Sequence, residues 1–199
     1  MFTNEIEKYQ SLNKLSEQNG IVIFGGTSDK KIPLCELKQA FDLRNNLYNR
    51  SFEKLSVKNA CEIYDACLKT LYPETLLLHI GESDLDCFKN SPSNFVSKYR
   101  ELIKCIRNSN PKCHIAIISL KNPNGNHIIT ELNKQLKYIA ESEQCEYEDI
   151  SLKRIWNPRQ TKDIISFVYS TGFVHPLNKR RSVYDLTKIL FCFDPSYII

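Results

Sequence analysis

The sequence predicts a three-layer α/β/α sandwich built on a parallel sheet of about five strands. Two observations carry this. Strand-like and helix-like segments alternate about five times along the 199 residues. The run IVIF (21–24) is continuously apolar rather than alternating, as expected of a strand covered on both faces, and TLLLHI (75–80) and HIAIISL (114–120) read as further strands.

The elements follow in order. Ile6, Tyr9, Leu12 and Leu15 recur at helical spacing within 4–18, and Gly20 stops the pattern. The first strand is 21–24. Pro33 opens a helical stretch, LCELKQAFDL, and LYNRSF (47–52) reads as a second strand. The segment 56–71 is helical, with Ala60, Ile63, Tyr64, Cys67, Leu68 and Leu71 on one face. After the strand 75–80 come a helix over 93–109, the strand 114–120, the turn cluster KNPNGN, a helix over 127–143 and a short strand, EYEDIS, at 146–151. The loop 153–163 holds the only tryptophan, and a last helix spans roughly 177–193. With no internal repeat, low-complexity tract or inner linker, residues 1–199 are expected to form one domain, with 1–19 as an N-terminal helical extension.

Composition narrows the function classes. The chain is 42% hydrophobic and 25% charged, with a net charge of +4, too weakly basic to argue for nucleic acid. The N-terminus lacks the basic-then-apolar order of a secretory signal, and no run approaches the length of a membrane span. The eight cysteines (35, 61, 67, 87, 105, 113, 145 and 192) include no C-x-x-C pair and are expected to be reduced and mostly buried, in a cytoplasmic protein. Neither they nor the four histidines show zinc-ligand spacing, so no metal and no cofactor is expected.

In doubly wound sheets ligands bind beyond the carboxyl ends of the strands. Three chemically unusual segments fall there: GGTSD after the first strand, GESD after the third, and the loop holding His175. The first contains neither G-x-G-x-x-G nor a P-loop, which argues against phosphate binding.

Taken together the segments resemble the SGNH/GDSL hydrolases, a family of esterases and acyl hydrolases, over about residues 20–193. Phe24-Gly25-Gly26-Thr27 stands where the family has F-G-D-S, and Asn49-Arg50-Ser51 partly matches its second block. Gly81-Glu82-Ser83-Asp84 stands for G-x-N-D, and GFVHP (172–176) for D-x-x-H-P. The resemblance implies an SGNH-type, flavodoxin-like fold and an esterase-like mechanism, in which a hydroxyl after the first strand attacks an ester carbonyl and a histidine takes its proton.

Carried over residue by residue, the nucleophile position is Thr27, with Ser28 as its neighbour, and the base is His175. Oxyanion or binding positions fall on Gly26, Ser83 and Lys54, where Ser83 replaces an asparagine and Lys54 a glycine. Asp84 is expected to brace its loop. Gly172 occupies the place of the aspartate that orients the base, so Asp29, Asp84 or a backbone carbonyl would have to orient His175. The resemblance therefore implies a divergent acyl-ester hydrolase or acyltransferase, impaired or repurposed, acting on a small-molecule acyl ester or an acylated carrier. The alternative is a non-catalytic relative that binds a ligand or a protein in the same cleft. A nucleotide-binding flavodoxin-like protein ranks third.

Each residue also has a plainer reading. Thr27 and Ser28 could equally cap the turn after the strand. His175 could close the start of a helix. His79 reads as a satisfied core histidine, and His114 and His127 as surface or capping residues. Lys153-Arg154, Arg159 and Lys179-Arg180-Arg181 read as solvated faces flanking the His175 loop.

Overall fold

The computed structural model describes residues 2–151 and 183–191. Five strands form one parallel sheet in the order β2-β1-β3-β4-β5. They are β1 (Ile21–Gly25), β2 (Leu47–Asn49), β3 (Thr75–His79), β4 (His114–Ile118) and β5 (Glu146–Glu148). Every residue of β1 and β3 is buried, which is why their sequences lack a polar alternation.

The pleat still sorts side chains between two cores. Val22, Phe24, Leu76, Leu78, Ile115 and Ile117 belong to one, with residues of α3 (Val57–Ile63), α5 (Pro92–Ser109) and α6 (His127–Ser142). Ile21, Ile23, Leu77, Ala116 and Ile118 belong to the other, with residues of α2 (Leu34–Ala40) and α7 (Val183–Phe191). These are the three layers of the expected sandwich. Fully buried Phe24, Leu76 and Leu78 each contribute roughly 1.5–3 kcal/mol of burial free energy.

Helix boundaries differ from expectation where side chains compete for backbone groups. The first helix, α1 (Thr3–Asn13), stops short of residue 18. Its Asn13 amide donates to the Cys67 carbonyl at 2.6 Å, and the chain turns there to feed β1. Leu12 and Leu15 consequently face solvent, 40% and 85% exposed. The start of α1 packs down: Phe2 and Tyr9 meet the Phe52 ring edge-on, and the Tyr9 hydroxyl donates to the Ser51 carbonyl.

The expected helix 56–71 becomes α3, a π turn (Tyr64–Leu68) and a 3-10 turn (Lys69–Leu71), closed by Tyr72 in the left-handed region at φ 43°. A short helix, α4 (Leu85–Asn90), precedes α5; sequence reading did not anticipate it. The edge strands β2 and β5 are three residues each, shorter than expected because their flanking polar residues hydrogen-bond in loops instead. Of the expected helix 177–193, residues 183–191 are described.

No helix among the described residues is long and apolar enough to cross a membrane. The seven described cysteines are all free thiols, but only Cys67 and Cys113 are buried. Cys61, Cys105 and Cys145 are half-buried, while Cys35 and Cys87 are exposed on α2 and α4, so the expectation of mostly buried thiols is corrected. Each exposed thiol belongs to a short helix that turns other residues, such as Leu37 and Phe88, into the core.

Candidate active site

β1 and β3 are neighbours at the centre of the sheet, and Gly25 lies opposite His79 in their register. The loops leaving these two strands meet. Gly26 is buried, Thr27 half-buried and Ser28 exposed. The Thr27 Oγ1 accepts a hydrogen bond from the Lys54 backbone N–H at 2.9 Å, which links the GGTSD loop to the chain that follows Asn49-Arg50-Ser51. Lys54 holds φ 54°, the left-handed conformation that glycine adopts at little cost, so the chain keeps a glycine-like turn here without a glycine. The Ser28 hydroxyl donates to Glu82 Oε2 at 3.1 Å, which links the GGTSD loop to GESD.

Asn49, at the end of β2, binds the same loop, its amide donating to the Asp29 carbonyl at 2.7 Å. Arg50 points elsewhere: it stacks over the Tyr9 and Tyr48 rings and donates to Asn13, fastening α1.

Glu82, Ser83 and Asp84 form a 3-10 turn after Gly81, whose φ of 140° needs glycine. Ser83 is exposed. Asp84 is 1% exposed and braces the turn against α3: it accepts from the Ser56 hydroxyl at 2.6 Å and the Val57 N–H at 3.0 Å. Burial pushes its carboxyl up, and the bonds from Ser56 and Val57 oppose that. Asp84→Ala leaves two donors without an acceptor and should cost about 2–4 kcal/mol of unfolding free energy in urea titrations, with Asp84→Asn costing less.

The expected resting place of His79 needs correction. It is buried, as a core histidine would be, but it is not satisfied. Its Nδ1 lies 2.8 Å from Asp29 Oδ1, and its Nε2 has no hydrogen-bond partner among the described residues. Burial pushes the imidazolium down; the Asp29 charge and hydrogen bond push it up and prevail, leaving it above the usual histidine value. Glu82 adds to the rise and Lys121 opposes it. The other oxygen of Asp29 accepts the Gly26 N–H at 2.9 Å. Both Asp29 oxygens are therefore engaged, as are those of Asp84, and the two carboxylates considered as orienters of His175 already serve other groups.

Sequence reading missed this Asp29–His79 pair. The available signal was an ionisable residue at the end of an apolar strand whose loop mate also carries a buried-type carboxylate.

His175, Gly172, Pro176 and the basic residues Lys153, Arg154, Arg159, Lys179, Arg180 and Arg181 lie outside the described residues. His114 and His127 lie at the surface as expected, beside Glu146 and Glu131. Away from the site, Cys61, Asp65 and Cys105 bring their ligand-type atoms within 4.8 Å of one another, the one such trio among the described residues; Lys69 also lies 3.5 Å from Asp65.

A cleft of about 540 Å³ opens beside the GGTSD and GESD loops. Ser28, Asp29, His79 and Glu82 line one side, and Leu120, Ile129, Leu190 and Phe191 are among the apolar residues of the remaining wall. It lies beyond the carboxyl ends of β1, β3 and β4, where doubly wound sheets bind ligands.

No family model and no curated protein matches the sequence. Solved structures do match. A candidate platelet activating factor from Streptococcus pneumonia aligns with a TM-score of 0.64 at 19% identity, over 86% of this chain and 92% of that one. A GDSL-like lipase from Bacteroides thetaiotaomicron gives 0.57 at 12% identity, over 72% and 77%. An acetylxylan esterase from Geobacillus stearothermophilus gives 0.54 at 13% identity, over 78% and 84%. The five-stranded parallel sheet, its strand order and these likenesses agree: the chain has the α/β fold of the SGNH/GDSL hydrolases.

Proposed function

We propose that this chain is a divergent acyl-ester hydrolase or acyltransferase with a largely altered catalytic set. The observation that supports it most is the Thr27 hydroxyl at the carboxyl end of β1, 2.9 Å from the backbone N–H of Lys54. A hydroxyl on the nucleophile loop thus meets a backbone donor from the chain after β2, the kind of group that holds a developing oxyanion.

In this mechanism Thr27 Oγ1 bonds to the ester carbonyl carbon while His175 takes the hydroxyl proton. Collapse of the tetrahedral intermediate breaks the bond to the alcohol oxygen, which leaves with that proton. Water, or an acceptor alcohol, then releases the acyl group by the reverse sequence. Ser28 is the other candidate nucleophile; its bond to Glu82 must break first. The N–H groups of Thr27 and Lys54 and the Ser83 hydroxyl are the oxyanion donors, and Gly26 leaves the loop open to the substrate. The substrate is a small-molecule acyl ester or an acylated carrier.

One observation favours the second reading, a non-catalytic protein that binds a ligand or partner in this cleft. Asp29 and Asp84 are both committed to other groups, which leaves His175 to a backbone carbonyl for orientation.

Incubation with a fluorophosphonate probe and with an aryl acetate separates the two. The enzyme reading expects a covalent adduct on Thr27 or Ser28, located by mass spectrometry, that is lost in Thr27→Ala or Ser28→Ala and in His175→Ala, with turnover falling to the buffer rate. An unlabelled protein whose turnover equals that of the variants would establish the binding reading.

A further inference from the structure

Cys61 and Asp65 stand four positions apart where α3 passes into the π turn, and Cys105 faces them from α5. The two Sγ atoms and a carboxylate oxygen of Asp65 lie within 4.8 Å of one another. Both thiols are half-buried, and Asp65 is exposed at a pocket of about 600 Å³ that all three residues line. None of the three lines the cleft beside the GGTSD and GESD loops. The two cysteines are 44 positions apart, which is why the sequence shows no ligand spacing here.

Two thiols and one carboxylate suit a borderline-soft divalent ion, zinc above all, whereas magnesium and calcium take sets of oxygens. Tetrahedral zinc, with bonds of about 2.3 Å to sulfur and about 2.0 Å to oxygen, sets sulfur–oxygen edges of about 3.5 Å and sulfur–sulfur edges of about 3.8 Å. Cys105 Sγ already stands 3.5 Å from Asp65 Oδ2. The remaining pairs, within 4.8 Å, need to close by at most about 1.3 Å, a distance that small side-chain rotations supply.

The two oxygens of Asp65 divide their work. Oδ2 faces Cys105, and Oδ1 accepts from Lys69 Nζ at 3.5 Å. Lys69 can therefore remain on the carboxylate as the outer partner that metal-binding carboxylates usually have. Glu101 lines the same pocket one turn before Cys105, but Lys98 holds it at 2.7 Å, so the fourth position falls to water. Asp65 also sits inside a π turn, a rare local structure that gathers at functional sites.

We propose that Cys61, Asp65 and Cys105 bind one zinc ion, with water as the fourth ligand, and that the ion clamps the π turn to α5. Each thiol gives its proton to solvent as it becomes a ligand. The site is independent of the ester-processing reading, and labelling of Thr27 or Ser28 bears on that reading alone.

The reduced, metal-free full chain is titrated anaerobically with cobalt(II), which reports its ligands by absorption. One equivalent should bring thiolate-to-cobalt charge transfer in the near ultraviolet and the intense visible bands of a four-coordinate ion. Zinc should then bleach both at one equivalent. Cys61→Ser and Cys105→Ser should each halve the charge-transfer intensity and weaken binding about 100-fold or more, and Asp65→Asn about tenfold or more. Cys35→Ser and Cys87→Ser, at exposed thiols, should change neither. Melting temperatures without metal establish that every variant folds, and zinc should raise that of the wild type but not those of Cys61→Ser and Cys105→Ser.

The absence of a cobalt spectrum, the weak bands of a six-coordinate ion, or a spectrum that the three site variants leave unchanged overturns the inference. So does a protein that ignores cobalt but joins Cys61 to Cys105 in air, which would make the pair a redox element instead.

Discussion

Asp29→Ala is expected to destabilise the fold by about 3–5 kcal/mol, because it removes one partner of a fully buried pair. The methyl group leaves the His79 Nδ1 and the Gly26 N–H without an acceptor. At roughly 2–4 °C per kcal/mol for a chain of this size, the melting temperature should fall by about 10 °C. Asp29→Asn keeps one acceptor oxygen in place and should cost less, about 1–3 kcal/mol.

The same pair sets a pH dependence. His79 titrates above its unfolded value of about 6.5, so its contribution is complete below about pH 6.5 and is lost as the pH rises through the folded value. Urea titrations of the wild type from pH 6 to 8.5 should show stability falling with pH, and Asp29→Asn should flatten that slope. A wild-type slope unchanged by Asp29→Asn would mean that the pair carries no linked proton.

The scaffold was legible because burial on both faces leaves a plain signature. IVIF, LLL (76–78) and IAII (115–118) are apolar without a break, as strands buried on both faces of a parallel sheet are expected to be. Amphipathic segments as long as 93–109 and 127–143 were legible for a related reason: their stripes pass through five turns or so without interruption.

Short-range competition was not legible. Nothing in the periodicity of 56–71 marks the π turn at Tyr64–Leu68, because Ala60, Ile63, Tyr64, Cys67, Leu68 and Leu71 all stay buried through it. Asn13 as a helix stop depends on a carbonyl, Cys67, that lies 54 positions away.

The candidate site divides along the same line. The loops that hold Thr27, Ser28, Ser83 and Asp84 could be found because strand ends can be found. The pairing of Asp29 with His79 spans 50 positions and two strands, and a single sequence records neither the register that joins Gly25 to His79 nor the direction in which Asp29 folds back. Hydroxyls and glycines in a turn drew attention to nucleophilic chemistry, whereas the carboxylate beside them is what goes into the core.

Gly25→Ala should be nearly as damaging as the loss of Asp29 itself, for a reason that concerns space rather than backbone freedom. Gly25 belongs to β1 and does not adopt a left-handed conformation. A Cβ at this position would stand 1.9 Å from Asp29 Oδ2 and 3.1 Å from the His79 carbonyl oxygen. The carboxylate occupies the room that a side chain would need, so the methyl group must expel it. The Gly26 N–H and the His79 Nδ1 then lose the same acceptor that Asp29→Ala removes, and a cost of about 3–5 kcal/mol follows.

The shared cause makes a sharper test than either cost alone. In the double variant the alanine methyl enters space that Asp29 has already left, so the two costs should fall short of their sum by about 2 kcal/mol or more, where independent sites would add to within about 0.5 kcal/mol. Gly26→Ala is the control. Its Cβ meets only the Glu82 Oε2, at 3.3 Å, the far end of an exposed side chain that can move aside, and a change of about 0.5 kcal/mol is expected. Additive costs in the double variant would place the damage of Gly25→Ala in the strand rather than at the carboxylate. Strong coupling would mean that the first glycine after Phe24 is there to admit Asp29 beneath the loop, and so to hold His79 at the cleft wall.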